Sequence, residues 1–179
     1  MNASKWIVVF TITLIAQLSM CARDKDLVKS LPDLPSLTSN WYSGFYNVSR
    51  TRNLHYVMVE AEQNPKDAPL VFWFAGGPGG SSMLDLFVGL GPFVVDSSAF
   101  NNSFVELNVN NAGNNNYSMT KRVNMIYIDN PCGVGYSYAT RHTDIPTNDD
   151  QYSRDAYTFI TSFFNDWPEY RLNPIFISG

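Results

Sequence analysis

Residues 70–82 constrain this chain more than any other stretch. Leu70-Val-Phe-Trp-Phe-Ala75 is a continuous apolar run introduced by Pro69, and it passes directly into Gly76-Gly-Pro-Gly-Gly-Ser-Ser82. A short apolar run bounded by Pro and Gly reads as a strand buried on both faces, which belongs in the middle of a sheet. Met83, Leu84, Leu86 and Phe87 then predict a short apolar helix ending near Gly89 to Pro92. In a unit of strand, glycine loop and helix, backbone N–H groups can converge on an anion held near the positive end of the helix.

The pattern recurs downstream. Val123 to Ile128 is a second buried strand, and Asp129-Asn-Pro-Cys-Gly-Val-Gly135 is a loop at its carboxyl end. Tyr152, Ala156, Phe159, Ile160, Phe163, Phe164 and Trp167 recur at helical spacing, with Asn148, Asp149 and Asp150 as caps and Pro168 as a stop. Ile175 to Ser178 begins another β-rich run. Upstream, Leu31 to Ser36 is a proline-punctuated extended entry, and Tyr42–Tyr46 with Leu54–Glu60 predict an antiparallel strand pair. Asp96 to Lys121, rich in Asn and Ser, predicts an irregular surface excursion with one short helix.

Buried strands alternating with helices predict an α/β fold with a mostly parallel central sheet and antiparallel opening strands. Ligands of such sheets sit at the carboxyl ends of the strands, where both glycine-rich loops lie. No repeat or linker divides the 179 residues, which suit one domain or part of a larger one.

Charge excludes one class of partner. The formal net charge is -4 and no basic stripe is present, so nucleic acid is not expected to bind. No cofactor and no metal site are expected. The amino terminus reads as a targeting segment: Lys5 gives a positive start, Trp6 to Leu18 an apolar stretch, and Ser19-Met-Cys-Ala22 a small-residue cleavage region. Residues 1–22 are therefore expected to be a signal peptide and 23–179 the folded part. With the signal removed, no stable membrane insertion is expected, because the run is short of a bilayer span and contains Thr11, Thr13 and Gln17. Cleavage leaves Cys132 as a single thiol, expected to be a buried small residue. Sequons at Asn47, Asn101 and Asn116 fit lumenal passage and are candidate glycosylation sites.

The glycine loop lacks the Gly-Lys-Ser/Thr of a P-loop and the G-x-G-x-x-G of a dinucleotide site, which disfavours nucleotide phosphate. An oxyanion or carboxylate hole remains, in which fixed N–H donors stabilise charge developing on a carbonyl oxygen. A plain turn is the competing reading.

Three ordered segments carry a family resemblance. Val71-Phe-Trp-Phe-Ala-Gly-Gly-Pro-Gly-Gly-Ser-Ser82 with Leu90-Gly-Pro-Phe93 resembles the W-L-N/Q-G-G-P-G-x-S-S and x-G-P-F motif of serine carboxypeptidases. Asn124 to Tyr138 resembles their N-x-x-x-x-D-Q/N-P-x-G-x-G-F-S-Y segment. Asp155 to Gly179 resembles the stretch leading to G-E-S-Y-A-G. Gly-Gly-Ser-Ser-Met and Ile-Asp-Asn-Pro look most like the vitellogenic-like branch.

The resemblance implies an α/β-hydrolase fold with a Ser, Asp, His triad in that order, removing single residues from peptide C-termini. It implies that Gly77 gives an oxyanion-hole N–H and that Gly76 and Trp73 hold the terminal carboxylate of the peptide substrate. The nucleophile elbow is G-x-S-x-G, of which Gly179 is the first glycine, so the chain is expected to be an N-terminal part whose nucleophile would follow Gly179. Lysosome, vacuole and the cell exterior are all open as destinations, and oligomeric state is unknown.

Two positions depart from the pattern. Ala75 stands where the family has Asn or Gln, and Gly89 where it has Glu before x-G-P-F. A lost hydrogen bond to a charged group is worth ~1.5–3 kcal/mol, so a weakened or altered peptidase is expected. A secreted binding or decoy protein and an acyltransferase of the same fold are the alternatives.

The remaining polar residues read more blandly. His55 and His142 are expected in surface or strand-packing roles. Asp129 is expected to order its loop by hydrogen bonds, since the triad acid follows the serine in this fold. Ser81 and Ser82 are expected to cap the following helix.

Overall fold

The computed structural model describes residues 24–32, 34, 36–77, 79–94 and 113–179. Its main sheet has seven strands. β1 (Leu27–Val28), β2 (Trp41–Asn47), β3 (Arg52–Val59), β4 (Leu70–Phe74), β7 (Asn124–Ile128) and β9 (Ile175–Ser178) run in the order β1-β2-β3-β7-β4-β9, and β8 (Tyr138–Ala139) pairs with β3. A separate two-stranded pair joins β5 (Phe93–Val94) to β6 (Gly113–Asn114).

The opening strands are antiparallel, β2 to β3 and β3 to β7, whereas β4 is parallel to both β7 and β9. The expected mixed sheet is therefore present, with its strand bounds shifted by one or two residues. Leu70, Val71 and Phe72 are buried, as are all five residues of β7. This matches continuous apolar runs covered on both faces. β9 lies at the sheet edge with all four residues exposed.

Helix α1 (Ser82–Asp85) runs straight into a π-helical turn over Leu86–Leu90, so the apolar helical path ends where Gly89 to Pro92 predicted. Helix α2 (Asp149–Asp166) starts at Asn148, whose side chain accepts from the Gln151 N–H at 3.0 Å. Asp149 and Asp150 lie in its first turn, complementing the helix dipole rather than capping. Phe159 and Phe163, one turn apart, are wholly buried. They pack with Trp167 and Tyr170 against Tyr56, Phe72, Ile126 and Ile128 on one sheet face. Trp41, Val57, Val71, Leu86, Phe93 and Tyr127 form the core of the other face.

Helix α2 is clamped to the sheet by charge as well. Arg52 Nε and Nη2 donate to the two carboxylate oxygens of Asp155 at 2.7 and 2.8 Å, and Asp155 is 2% exposed. Asn124, also buried, accepts from Ala61 N–H and donates to the Pro65 and Ala68 carbonyls, fixing the β3–β4 connection to the start of β7.

Two details differ from expectation. Gly113–Asn114, read as irregular, is a strand because it pairs with β5; of the expected excursion, residues 96–112 lie outside those described. β1 and β8 went unread because two residues carry no periodicity. No helix among the described residues is long and apolar enough to cross a membrane, and no cluster of metal-ligating residues occurs among them.

Candidate functional site

β4 and β7 are parallel neighbours, so the loops after Phe74 and after Ile128 leave the same end of the sheet. Ser82 ties them together. Its hydroxyl donates to the Ile128 carbonyl at 2.6 Å and accepts from the Ala75 N–H at 3.0 Å. The glycine loop is thereby closed onto its own strand, with Gly76 and Gly77 on the surface. Gly77 has φ +75°, a conformation that residues with a Cβ rarely adopt. Ser81 caps α1 as expected, accepting from Met83 N–H at 3.2 Å, whereas Ser82 does not cap and acts as the stitch just described.

Asp129 joins the two loops. It is fully buried, and Oδ1 accepts from Ser81 Oγ at 2.6 Å and from Ser82 N–H at 3.1 Å. Oδ2 accepts from Tyr136 N–H at 3.0 Å and faces His55 Nδ1 at 3.2 Å. Burial alone would push this carboxyl up; the hydrogen bonds from His55, Ser81 and the Tyr136 N–H outweigh it and hold the group below its ordinary 3.8. The loop-ordering role expected for Asp129 is the one observed.

The rest of the second motif serves the same contact. Gly135 has φ +54°, and a Cβ there would overlap the Asp129 carboxylate, so a glycine is required by both angle and space. Ser137 Oγ accepts from His55 N–H at 2.8 Å and donates to the Asp129 carbonyl at 2.6 Å, while Asp129 N–H donates to the His55 carbonyl at 3.1 Å.

Of the surface and strand-packing roles expected for His55, the buried one holds: it is 6% exposed and meets Ser43 Oγ on Nε2 at 3.1 Å. Serine, imidazole and buried carboxylate stand in series, but Ser43 lies in the interior of β2, opposite Val57. His142 is exposed, as read from sequence. Cys132 is buried and free, and burial raises its thiol pKa, which disfavours the reactive thiolate.

Trp73 is half-buried near the end of β4, and its Nε1–H donates to Asp85 Oδ2 at 2.7 Å. Nothing in the sequence pattern singled out Asp85. Gly89 has open space where a Cβ would stand, so packing does not impose this departure from the family pattern. Gly179 lies against the end of β4, where a Cβ would overlap the Phe74 carbonyl; it is thus beside the strand that leads into Gly76. Asn47 and Asn116 are exposed; Asn101 lies outside the described residues.

The arrangement sets the exposed Gly76 and Gly77 at the end of a central strand, on a loop held by Ser82 and by a buried carboxylate that accepts from Ser81, Ser82 and Tyr136. That is the form of a preorganised anion site. A family model described as serine carboxypeptidase matches residues 32–179. Serine carboxypeptidase-like 20 of Arabidopsis thaliana is 35% identical over 177 residues, covering 97% of this chain and 35% of that protein. Probable serine carboxypeptidase CPVL of Homo sapiens is 37% identical over 147 residues, covering 81% and 29%. The lysosomal protective protein of Mus musculus is 33% identical over 159 residues, covering 88% and 31%. In structure, the chain resembles the crystal structure of KEX1(delta)p, a prohormone-processing carboxypeptidase from Saccharomyces cerevisiae. The TM-score is 0.67 at 22% identity, over 88% of this chain and 35% of that one, a likeness of fold. The chain spans about a third of the length of these relatives.

Proposed function

Since the chain belongs to the serine carboxypeptidase family, we propose that it forms the oxyanion-hole and substrate-carboxylate segment of a serine carboxypeptidase, which releases single residues from peptide C-termini. The observation that carries this reading is the locked loop at the end of β4, with Gly76 and Gly77 exposed and Gly179 lying against Phe74 at the end of the same strand.

In this mechanism the attacked carbonyl oxygen becomes an oxyanion that accepts from the Gly77 N–H, a donor set in place before reaction and so free of reorganisation cost. Gly76, together with Trp73, receives the terminal carboxylate of the peptide. The nucleophile is the serine of the elbow that Gly179 opens, and the acid and base follow it in the chain. No cofactor takes part. Ala75 offers no side-chain donor, so affinity for a free C-terminus is lower than a site with Asn or Gln there would give.

Residues 1–22 direct the protein to the secretory pathway, with a secreted, lysosomal or vacuolar destination. The exposed Asn47 and Asn116, and Asn101, receive glycans there. The same Ala75 and Gly89 support a second reading, a binding protein of this fold without catalysis.

Treatment of the full-length protein with a fluorophosphonate, followed by peptide mapping, separates the two. Labelling of a serine two residues past Gly179 is the expected result. A protein that takes up no label is the binding protein of the second reading.

A further inference from the structure

We propose that His55 is a positioning residue for the anion-binding N–H groups of Gly76 and Gly77, acting through Asp129. The inference rests on the reading of that loop given under Proposed function.

An ionised Asp129 can only accept hydrogen bonds, so the proton between it and His55 sits on Nδ1. The ring is held from its remaining sides. Ser43 Oγ meets Nε2 at 3.1 Å, and the rings of Phe45 and Tyr136 lie 5.1 Å away by centroid on β2 and in the second loop.

Fixing Oδ2 fixes Oδ1. The carboxylate is planar, so with His55 and the Tyr136 N–H holding one oxygen, the other is aimed at Ser81 Oγ and Ser82 N–H. Without the imidazole donor, Oδ2 keeps only the Tyr136 N–H, and the group can rotate away from Ser82. Ser82 is the residue whose hydroxyl closes the loop onto Ala75. The relay thus runs Ser43, His55, Asp129, Ser82, Ala75, and ends one residue before Gly76. Preorganised donors lose their value with small displacements: an error of ~1 Å can cost on the order of a hundredfold in rate.

The test uses the full-length protein with two substitutions. His55→Leu keeps apolar bulk and removes the donor; His55→Asn restores a neutral N–H at the position of Nδ1. The readouts are release of C-terminal residues and amide hydrogen exchange. For His55→Leu, kcat/KM should fall by about tenfold or more. Exchange should rise in peptides covering Gly76 to Ser82, while β4 and β7 keep wild-type protection. His55→Asn should return both readouts to within about threefold of wild type. Unchanged exchange in His55→Leu, or an Asn variant as impaired as the Leu variant, would overturn the proposal. If the wild-type protein releases no residue, the carboxypeptidase reading fails by itself, and the exchange pattern still decides the role of His55. Should His55→Leu not fold, Ser43→Ala loosens the ring from its other side; faster exchange confined to Gly76–Ser82 supports the relay, and no change overturns it.

Discussion

Trp73 and Asp85 form a direct hydrogen bond, indole Nε1–H to carboxylate Oδ2 at 2.7 Å, so the indole donor is already engaged by an anionic side chain. In the proposed site, a peptide C-terminus held by Gly76 and Trp73 meets the carboxylate bonded to that indole. Asp85→Asn, which removes the charge and keeps the shape, should therefore lower KM for a free-acid peptide by about three- to tenfold. The gain should shrink in high salt, since like-charge repulsion is screened. Steady-state kinetics at two ionic strengths checks this, and a raised KM would instead make Asp85 a group that binds substrate.

Gly135→Ala puts a Cβ into the Asp129 carboxylate and onto a backbone at φ +54°. The backbone conformation alone costs ~1–3 kcal/mol for a residue with a side chain, and moving Asp129 adds to it. The expected outcome is a lower urea midpoint with an unchanged slope, together with a drop in activity. Wild-type stability in this variant would contradict the close approach of the two loops.

Arg52→Met strips the partner from a carboxylate that is 2% exposed on α2. Removing one side of a buried pair costs ~3–5 kcal/mol, and the lower end is expected here because the Arg52 side chain is 20% exposed. Combined with Asp155→Leu, most of the loss should return, since an apolar pair leaves no charge stranded. Chemical unfolding of the two single variants and the double variant measures the coupling; additive losses would contradict it.

Acid stability has a definite sign at Asp129. Its folded-state pKa lies below the ordinary 3.8, so its contribution is fully present above about pH 4, near the unfolded value. It is lost as pH falls through the lower, native pKa. Asp129→Asn cannot titrate there and should be less stable at neutral pH, with a flatter stability profile between about pH 4 and 2. Unfolding free energies across that range check this; parallel profiles for the two proteins would contradict it.

Much of the fold was readable from residue patterns, because the central strands are continuous apolar runs and α2 repeats Phe159, Phe163 and Trp167 on one face. The glycine motifs likewise marked the end of the sheet from which both loops leave. The relay through His55 was not readable, although Asp129 and His55 are both prominent. Their meeting depends on the antiparallel register that sets Tyr56 opposite Ile128, a relation between segments about seventy residues apart. The pairing of β5 with β6 is of the same kind, being tertiary rather than local. Asp85 escaped notice because a carboxylate in a first helical turn has an ordinary explanation in the helix dipole, and only the side-chain direction links it to Trp73. Ser82 was misread as a cap because its hydroxyl is claimed by the neighbouring strand, at the Ile128 carbonyl.

The most direct test of the central claim is release of the C-terminal amino acid from an N-blocked dipeptide by the full-length protein, run beside the same dipeptide with an amidated C-terminus. Hydrolysis of the free acid and little or none of the amide is expected if Gly76 and its surroundings receive a carboxylate. No release from either peptide, or equal rates on both, would contradict a carboxypeptidase site built on Gly76 and Gly77.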